Sequence, residues 1–320
     1  MNGEKTNSHQ LKSKLSVESL FWSLRPVNIL IVALTQYFFY YFLFKCNAIK
    51  LDIALNLGGH LLYSFILTTV IITACGYLIN DYVDFDSDLL NNKKYRLSSQ
   101  LNYLPVYFIL LFTGFVISTF IAVKLEKPEL ALFYLLATAL LFLYSTHFKK
   151  IPLIGNVIVA LFSASVVLIF LIFESNFINE FQSIDPENYK EFKFTLLFYG
   201  LFMFLLSLTR EIIKDIEDVK GDNLKGDNTI AVINLSLAKT ISTTLSFALL
   251  FIEIYFVIKM PTQLLLLLGM IFIIFPQILF LLTMLKAKSK ADYSKTSKFA
   301  KIIMVLGLIY LIILNSNLYL

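Results

Sequence analysis

Apolar residues fall along this chain in runs of about twenty, separated by short polar stretches, without the strict alternation of half-buried strands. Nine such runs stand out, at about 27–45, 59–79, 103–123, 129–145, 153–173, 194–209, 236–258, 262–285 and 300–319. In lipid every backbone N–H and C=O must find an internal partner, so the runs predict helices. The expected fold is therefore all-α, a polytopic membrane protein of nine transmembrane helices around a central cavity, capped by loops 80–102 and 208–235.

Composition agrees. Hydrophobic residues make up 58% of the chain, charged residues 15%, and mean hydropathy is +0.76, which excludes a soluble domain. The net charge of +5 does not imply a nucleic-acid partner, because arginine is scarce and no basic stretch is interleaved with exposed aromatics. Cys46 and Cys75 have no pairing pattern and are read as packing residues. Residues 1–24 are expected to form a polar, mobile segment without a cleavable signal, and 25–320 a single transmembrane domain. Phe21, Trp22 and Leu24 lead through Arg25-Pro26-Val27-Asn28 into the first run as an interfacial approach.

Most of the 27 Lys and Arg residues fall on the side that carries the N-terminus. The positive-inside rule then puts that side in the cytoplasm, with the protein expected in the cell (inner) membrane. On the opposite side the acidic stretch 174–193 reads as a solvated loop. On the basic side, Lys-rich 286–301 reads as a topology determinant that meets anionic membrane lipids.

The strongest chemical signal is Asn80-Asp81-Tyr82-Val83-Asp84-Phe85-Asp86-Ser87-Asp88, directly after the second run. At about 100° per residue, Asp81, Asp84 and Asp88 share one helix face and Asp86 points away. Asp215, Asp218 and Asp222 repeat that spacing at a constant offset, after the sixth run and on the same side. An internal duplication, about 25–150 and 151–285 plus a ninth helix, would account for the repeat. Carboxylates at the mouth of membrane helices are costly unless cations sit among them, and hard oxygen ligands of this kind suit Mg²⁺ shared with substrate phosphates. Lys149, Arg210, Lys214, Lys93 and Arg96 lie on the same side and could complete a diphosphate site. Beside an apolar cavity, the fitting substrate is a long-chain allylic diphosphate.

These motifs resemble those of the UbiA superfamily of intramembrane prenyltransferases. Asn80, Asp81, Asp84 and Asp88 match its Asn-Asp-x-x-Asp-x-x-x-Asp motif, and Arg210 to Asp222 resembles its second acidic motif. The segment from Tyr144 to Lys149, followed by Pro152 to Asn156, and the entry Arg25-Pro26-x-Asn28 are similar to the family's as well. The resemblance implies Mg²⁺ held by Asn80, Asp81, Asp84, Asp88, Asp215, Asp218 and Asp222. It further implies that Lys149 and Arg210 take up phosphate charge and that the π face of Tyr144 steadies an allylic cation. Arg25, Asn28, Lys93, Arg96 and Lys214 would contact substrate. The chain departs from the family after the first motif, where no proline follows the basic residues, and after the second, which reads Gly226-Asp227-Asn228-Thr229. The second motif most resembles the subgroup that alkylates geranylgeranylglyceryl phosphate with geranylgeranyl diphosphate. Members with aromatic acceptors (hydroxybenzoate, homogentisate, dihydroxynaphthoate) share much of it. A cation-coupled transporter would instead favour acids deep in the bilayer at broken helices.

Overall fold

The computed structural model describes residues 17–86, 97 and 99–316. Among these residues nine helices are long and apolar enough to cross a membrane: Pro26–Leu51, His60–Val83, Gln100–Lys124, Glu129–Thr146, Ile154–Phe173, Pro186–Leu224, Leu235–Ile258, Gln263–Lys286 and Lys290–Asn315. Val17–Ser23, inside the segment expected to be mobile, forms a short helix.

The sixth span organises the bundle, packing against the fifth, seventh and ninth. The first span bridges the halves by touching the second, fifth and ninth, and the fourth leans on the second and third. Aromatic rings fill the joints. Phe198 stacks on Phe256 across the sixth and seventh spans at 3.6 Å and 4°. Two spans contain a π-helical stretch, Phe39–Lys45 and Met270–Ile274. Pro276 lies just beyond the second, where its missing N–H leaves a carbonyl one turn back without its usual donor.

Two expected loops are helical. The sixth helix runs 40 residues, Pro186–Lys225, instead of ending near 209. Its polar extension stays folded because Ile212, Ile213 and Ile216 continue a buried stripe at helical spacing. It stops at Gly226, whose φ of 75° only glycine adopts without strain. The second acidic motif is therefore on a helix, and most of the region 208–235 is helical rather than a loop.

The stretch 174–193 is likewise not a solvated loop. It forms Ser175–Ile184 and the start of the sixth helix, whose N-cap Asp185 accepts from the Asn188 N–H at 3.2 Å ahead of Pro186. Phe177, Ile178 and Phe181 face inward while Glu180, Glu187 and Glu191 stay exposed. Glu174 is fully buried and ties this end together, accepting the backbone N–H groups of Asn56 at 2.8 Å and Leu57 at 2.9 Å.

Burial pushes the Glu174 carboxyl up to about 7, against the lowering effect of those two N–H donors and Lys127. The folded state thus holds its proton more tightly than the unfolded chain. Stability from this group is full below the unfolded carboxylate value and is lost as pH rises to about 7. Thermal unfolding in detergent should show a loss of roughly 3 kcal/mol across that window, and Glu174→Gln should flatten the dependence. An equally steep profile in the variant would contradict the assignment.

A candidate active-site cavity

One end of the bundle opens into a cavity of about 1070 Å³. Its wall is charged at the mouth and predominantly apolar in depth, with Gln36, Thr68 and Ser118 among the apolar residues. Asn80 and Asp84 at the end of the second span line the mouth, and Phe65 near the start of the same helix lines the interior. Fifteen residues of helix separate Asn80 from Phe65, so the cavity is about 22 Å deep. Phe133, Leu136 and Leu140 of the fourth span line it and are exposed.

The first acidic motif divides its work between two directions. Asp84 closes the helix, its N–H bonding the Asn80 carbonyl at 2.9 Å, and its carboxylate accepts from Asn80 Nδ2 at 2.9 Å. The Lys149 ammonium donates to Asp84 and, at 3.3 Å, to Asn80 Oδ1. Asp81 turns the other way: it is 1% exposed, is absent from the cavity wall, and pairs with Arg25 at 3.1 Å. Its neighbour there is the Arg25 guanidinium, which itself lines the cavity.

Arg25 stands immediately before the first span. It lines the cavity in a left-handed conformation, φ 53°, which costs an L-residue about 1–2 kcal/mol unless its surroundings hold it. Here its guanidinium is anchored by Asp81 and lies 4.4 Å over the Tyr77 ring. Asn28, on the cavity wall, donates to the Tyr77 hydroxyl at 3.0 Å. Burial alone would lower the Arg25 pKa, but Asp81, Tyr77 and Glu211 together raise it.

Lys149 stands on the turn 148–150 between the fourth and fifth spans. That turn lies so close to Gly155 that a Cβ there would sit 3.0 Å from the Lys149 Cα and 3.2 Å from the Phe148 carbonyl oxygen. Glycine at 155 therefore lets the turn approach the fifth helix. Burial pushes the Lys149 pKa down, and Asp84 with Tyr144 more than reverses this, so the group stays cationic. Tyr144, one turn before, lines the cavity beside it.

The second motif brings Asp215, Asp218 and Asp222 to the same cavity wall. Asp215 accepts from Asn156 Nδ2 at 2.9 Å, which locks the sixth span to the first turn of the fifth. Arg210 pairs with Glu211, Lys214 with Glu211 at 3.5 Å, and Lys290 of the ninth span with Asp218 at 3.5 Å. Asp88, Lys93 and Arg96 lie outside the described residues. Among the described residues no three His, Cys, Asp or Glu side chains close around one point. The carboxylates that line the mouth are hard oxygen ligands of the kind that bind Mg²⁺ together with water and substrate phosphate.

Sequence reasoning missed several wall residues: Asp227, Glu211, Asn156, Lys290 and Lys301. The two lysines had a readable signal. They are eleven residues apart, three turns, and so share a helix face.

The UbiA prenyltransferase family model matches residues 53–306. A digeranylgeranylglyceryl phosphate synthase of Methanocaldococcus jannaschii is 31% identical over 277 residues, covering 82% of this chain and 87% of that protein. Those of Sulfolobus acidocaldarius and Hyperthermus butylicus are each 31% identical, but the matches span only 55% and 65% of their lengths. A solved digeranylgeranylglyceryl phosphate synthase structure superposes with a TM-score of 0.61 at 23% identity, over 93% of this chain and 97% of that one. A UbiA homologue from Archaeoglobus fulgidus, bound to DMAPP and Mg²⁺, superposes at 0.55 and 16% identity over 92% and 99%.

The Arg25–Asp81 pair should behave as a coupled unit. Arg25→Gln removes the charge that offsets a buried carboxylate and should cost about 3 kcal/mol, the lower end for a buried pair because Arg25 is partly exposed. Adding Asp81→Asn should recover most of that loss in thermal unfolding. Additive losses in the double variant would show the two side chains act independently.

Proposed function

We propose, since this chain belongs to the UbiA prenyltransferase family, that it transfers a prenyl group from an isoprenoid diphosphate to a lipidic acceptor. Geranylgeranyl diphosphate is the proposed donor and geranylgeranylglyceryl phosphate the proposed acceptor. The observation that carries the reading is one cavity with carboxylates and ammonium or guanidinium groups at its mouth and a predominantly apolar wall that reaches about 22 Å from Asn80 to Phe65. A diphosphate head fits the first and an isoprenoid tail the second. The acceptor assignment draws on the family's resemblance and on what the similar synthases are called.

Asn80, Asp84, Asp215, Asp218 and Asp222 would hold Mg²⁺, joined by Asp88, while Asp81 contributes by seating Arg25. When bound, Mg²⁺ would neutralise charge on the diphosphate leaving group. Lys149, Arg25 and Arg210 bind phosphate oxygens and stabilise the charge that develops as the donor C1–O bond breaks, its electron pair leaving on the diphosphate. Lys93 and Arg96 are assigned to the same head group, Lys214 and Asn28 to substrate positioning. Tyr144, next to Lys149, offers its π face to the allylic carbon. The acceptor hydroxyl oxygen bonds to C1 and releases its proton to solvent at the mouth. By the charge bias of its loops, the mouth opens to the cytoplasm and the protein resides in the cell membrane.

Purified protein given Mg²⁺, geranylgeranyl diphosphate and a mixture of geranylgeranylglyceryl phosphate with aromatic acids should form the diether, and EDTA should stop it. Asp84→Ala should abolish turnover, by at least 100-fold on the scale of a lost charge-stabilising group, without altering helicity. A prenylated aromatic acid as sole product would overturn the lipidic acceptor, and full activity in Asp84→Ala would overturn the metal site.

A further inference from the structure

Six cationic side chains line the cavity: Arg25, Lys149, Arg210, Lys214, Lys290 and Lys301. Five have a carboxylate within ion-pair distance: Arg25 with Asp81, Lys149 with Asp84, Arg210 and Lys214 with Glu211, and Lys290 with Asp218. Among the described residues no such pair is formed by Lys301. Its electrostatic neighbours make this more pointed: Arg210, Lys214 and Arg25 act on it as like charges, and Glu211, already shared by two cations, is the carboxylate that acts against them. Lys301 is only partly exposed and stands well inside the ninth span, eleven residues beyond Lys290 on the same face, about 16 Å deeper along the helix. An ammonium held among like charges on a low-dielectric wall is costly unless an anion joins it.

From this arrangement we infer a second anion subsite, formed by Lys301 with Lys214 and bordered by Arg210, which it shares with the donor diphosphate, that binds the phosphomonoester of the acceptor. It stands on the ninth and sixth helices, while Asp84 stands at the end of the second span and Lys149 on the turn after the fourth. The inference rests on the proposed prenyl transfer to a phosphorylated lipid. It supplies what that reading lacks, a chemical feature of this cavity that favours a phosphate-bearing acceptor over a neutral alcohol. The dianionic phosphate meets three cations and one carboxylate there, a net match of charge. The neutral lipid alcohol would leave Lys301 uncompensated, so the subsite selects through a penalty as well as an attraction.

The test uses the full chain in detergent with Mg²⁺ and geranylgeranyl diphosphate. Kinetics are measured separately for geranylgeranylglyceryl phosphate and for the same lipid lacking its phosphate. Lys301→Gln should raise KM for the phosphorylated acceptor roughly 10- to 100-fold, the range of one charge-assisted hydrogen bond. KM for the donor should stay within about twofold, turnover of the unphosphorylated lipid should hold or rise as the uncompensated charge is removed, and Lys301→Arg should restore most of the loss for the phosphorylated acceptor. A raised donor KM would assign Lys301 to the diphosphate instead, and an unchanged acceptor KM would remove it from binding; either result overturns the subsite. If the wild-type protein itself ignores the phosphorylated acceptor, the prenyl-transfer reading fails together with the subsite. That is distinct from wild type and Lys301→Gln using the acceptor equally well.

Discussion

Charge held at the mouth of a membrane helix must be neutralised locally, and the polar end of this protein follows from that constraint. Asp81 and Asp84 come one turn apart on the same helix, yet each meets a cation from a different part of the chain: Arg25 from before the first span, Lys149 from after the fourth. Asp215 is fixed by Asn156 at the start of the fifth span, and Asp218 by Lys290 at the start of the ninth. Breaking the Arg25–Asp81 pair costs several kcal/mol because it strands a buried charge, whereas the exposed Lys290–Asp218 pair contributes little. The links nonetheless bring side chains of the first, second, fifth, sixth and ninth helices together at one end. The same links leave cations and carboxylates facing a common space, ready to exchange partners when an anion enters.

Backbone geometry serves the same end. Arg25 and Leu153 both adopt left-handed conformations, φ 53° and 63°, each immediately before a span. Each aims a polar group into the cavity region: Arg25 itself in one case, Asn156 three residues later in the other. Strain of this kind persists only where surrounding contacts over-determine it. Gly155 adds the missing space, letting the Lys149 turn lie against the fifth helix. At the opposite end, buried Glu174 ties the chain after the fifth span to the loop between the first and second. The cavity thus has a charged mouth, and Glu174 fastens the end of the bundle away from it.

Much of this was legible in the chain itself. The apolar runs gave all nine spans, and helical spacing of the two acidic motifs anticipated that Asp84 and Asp215, Asp218 and Asp222 face one cavity. What was missed has physical causes. The sixth helix looked short because charged residues lower hydropathy from Arg210 onward, although Ile212, Ile213, Ile216 and Val219 continue its apolar stripe. The acidic stretch 174–193 looked solvated because its Glu residues outvoted Phe177, Ile178 and Phe181, which mark a buried face. Asp81 could not be separated from Asp84 by spacing alone, since only tertiary packing decides which meets Arg25. Lys301 was lost in a lysine-rich stretch whose other members are mostly exposed.

The account stands on the two acidic helix ends acting on a single diphosphate. The direct measurement is a crystal structure with Mn²⁺ and an unreactive thiolo analogue of the prenyl diphosphate, with anomalous scattering to locate the metal. The account predicts metal bridged by the analogue between the Asn80–Asp84 end of the second span and Asp215–Asp222 on the sixth, with the isoprenoid tail directed toward Phe65. Metal on one motif alone, or an analogue whose diphosphate lies away from Lys149, would contradict it.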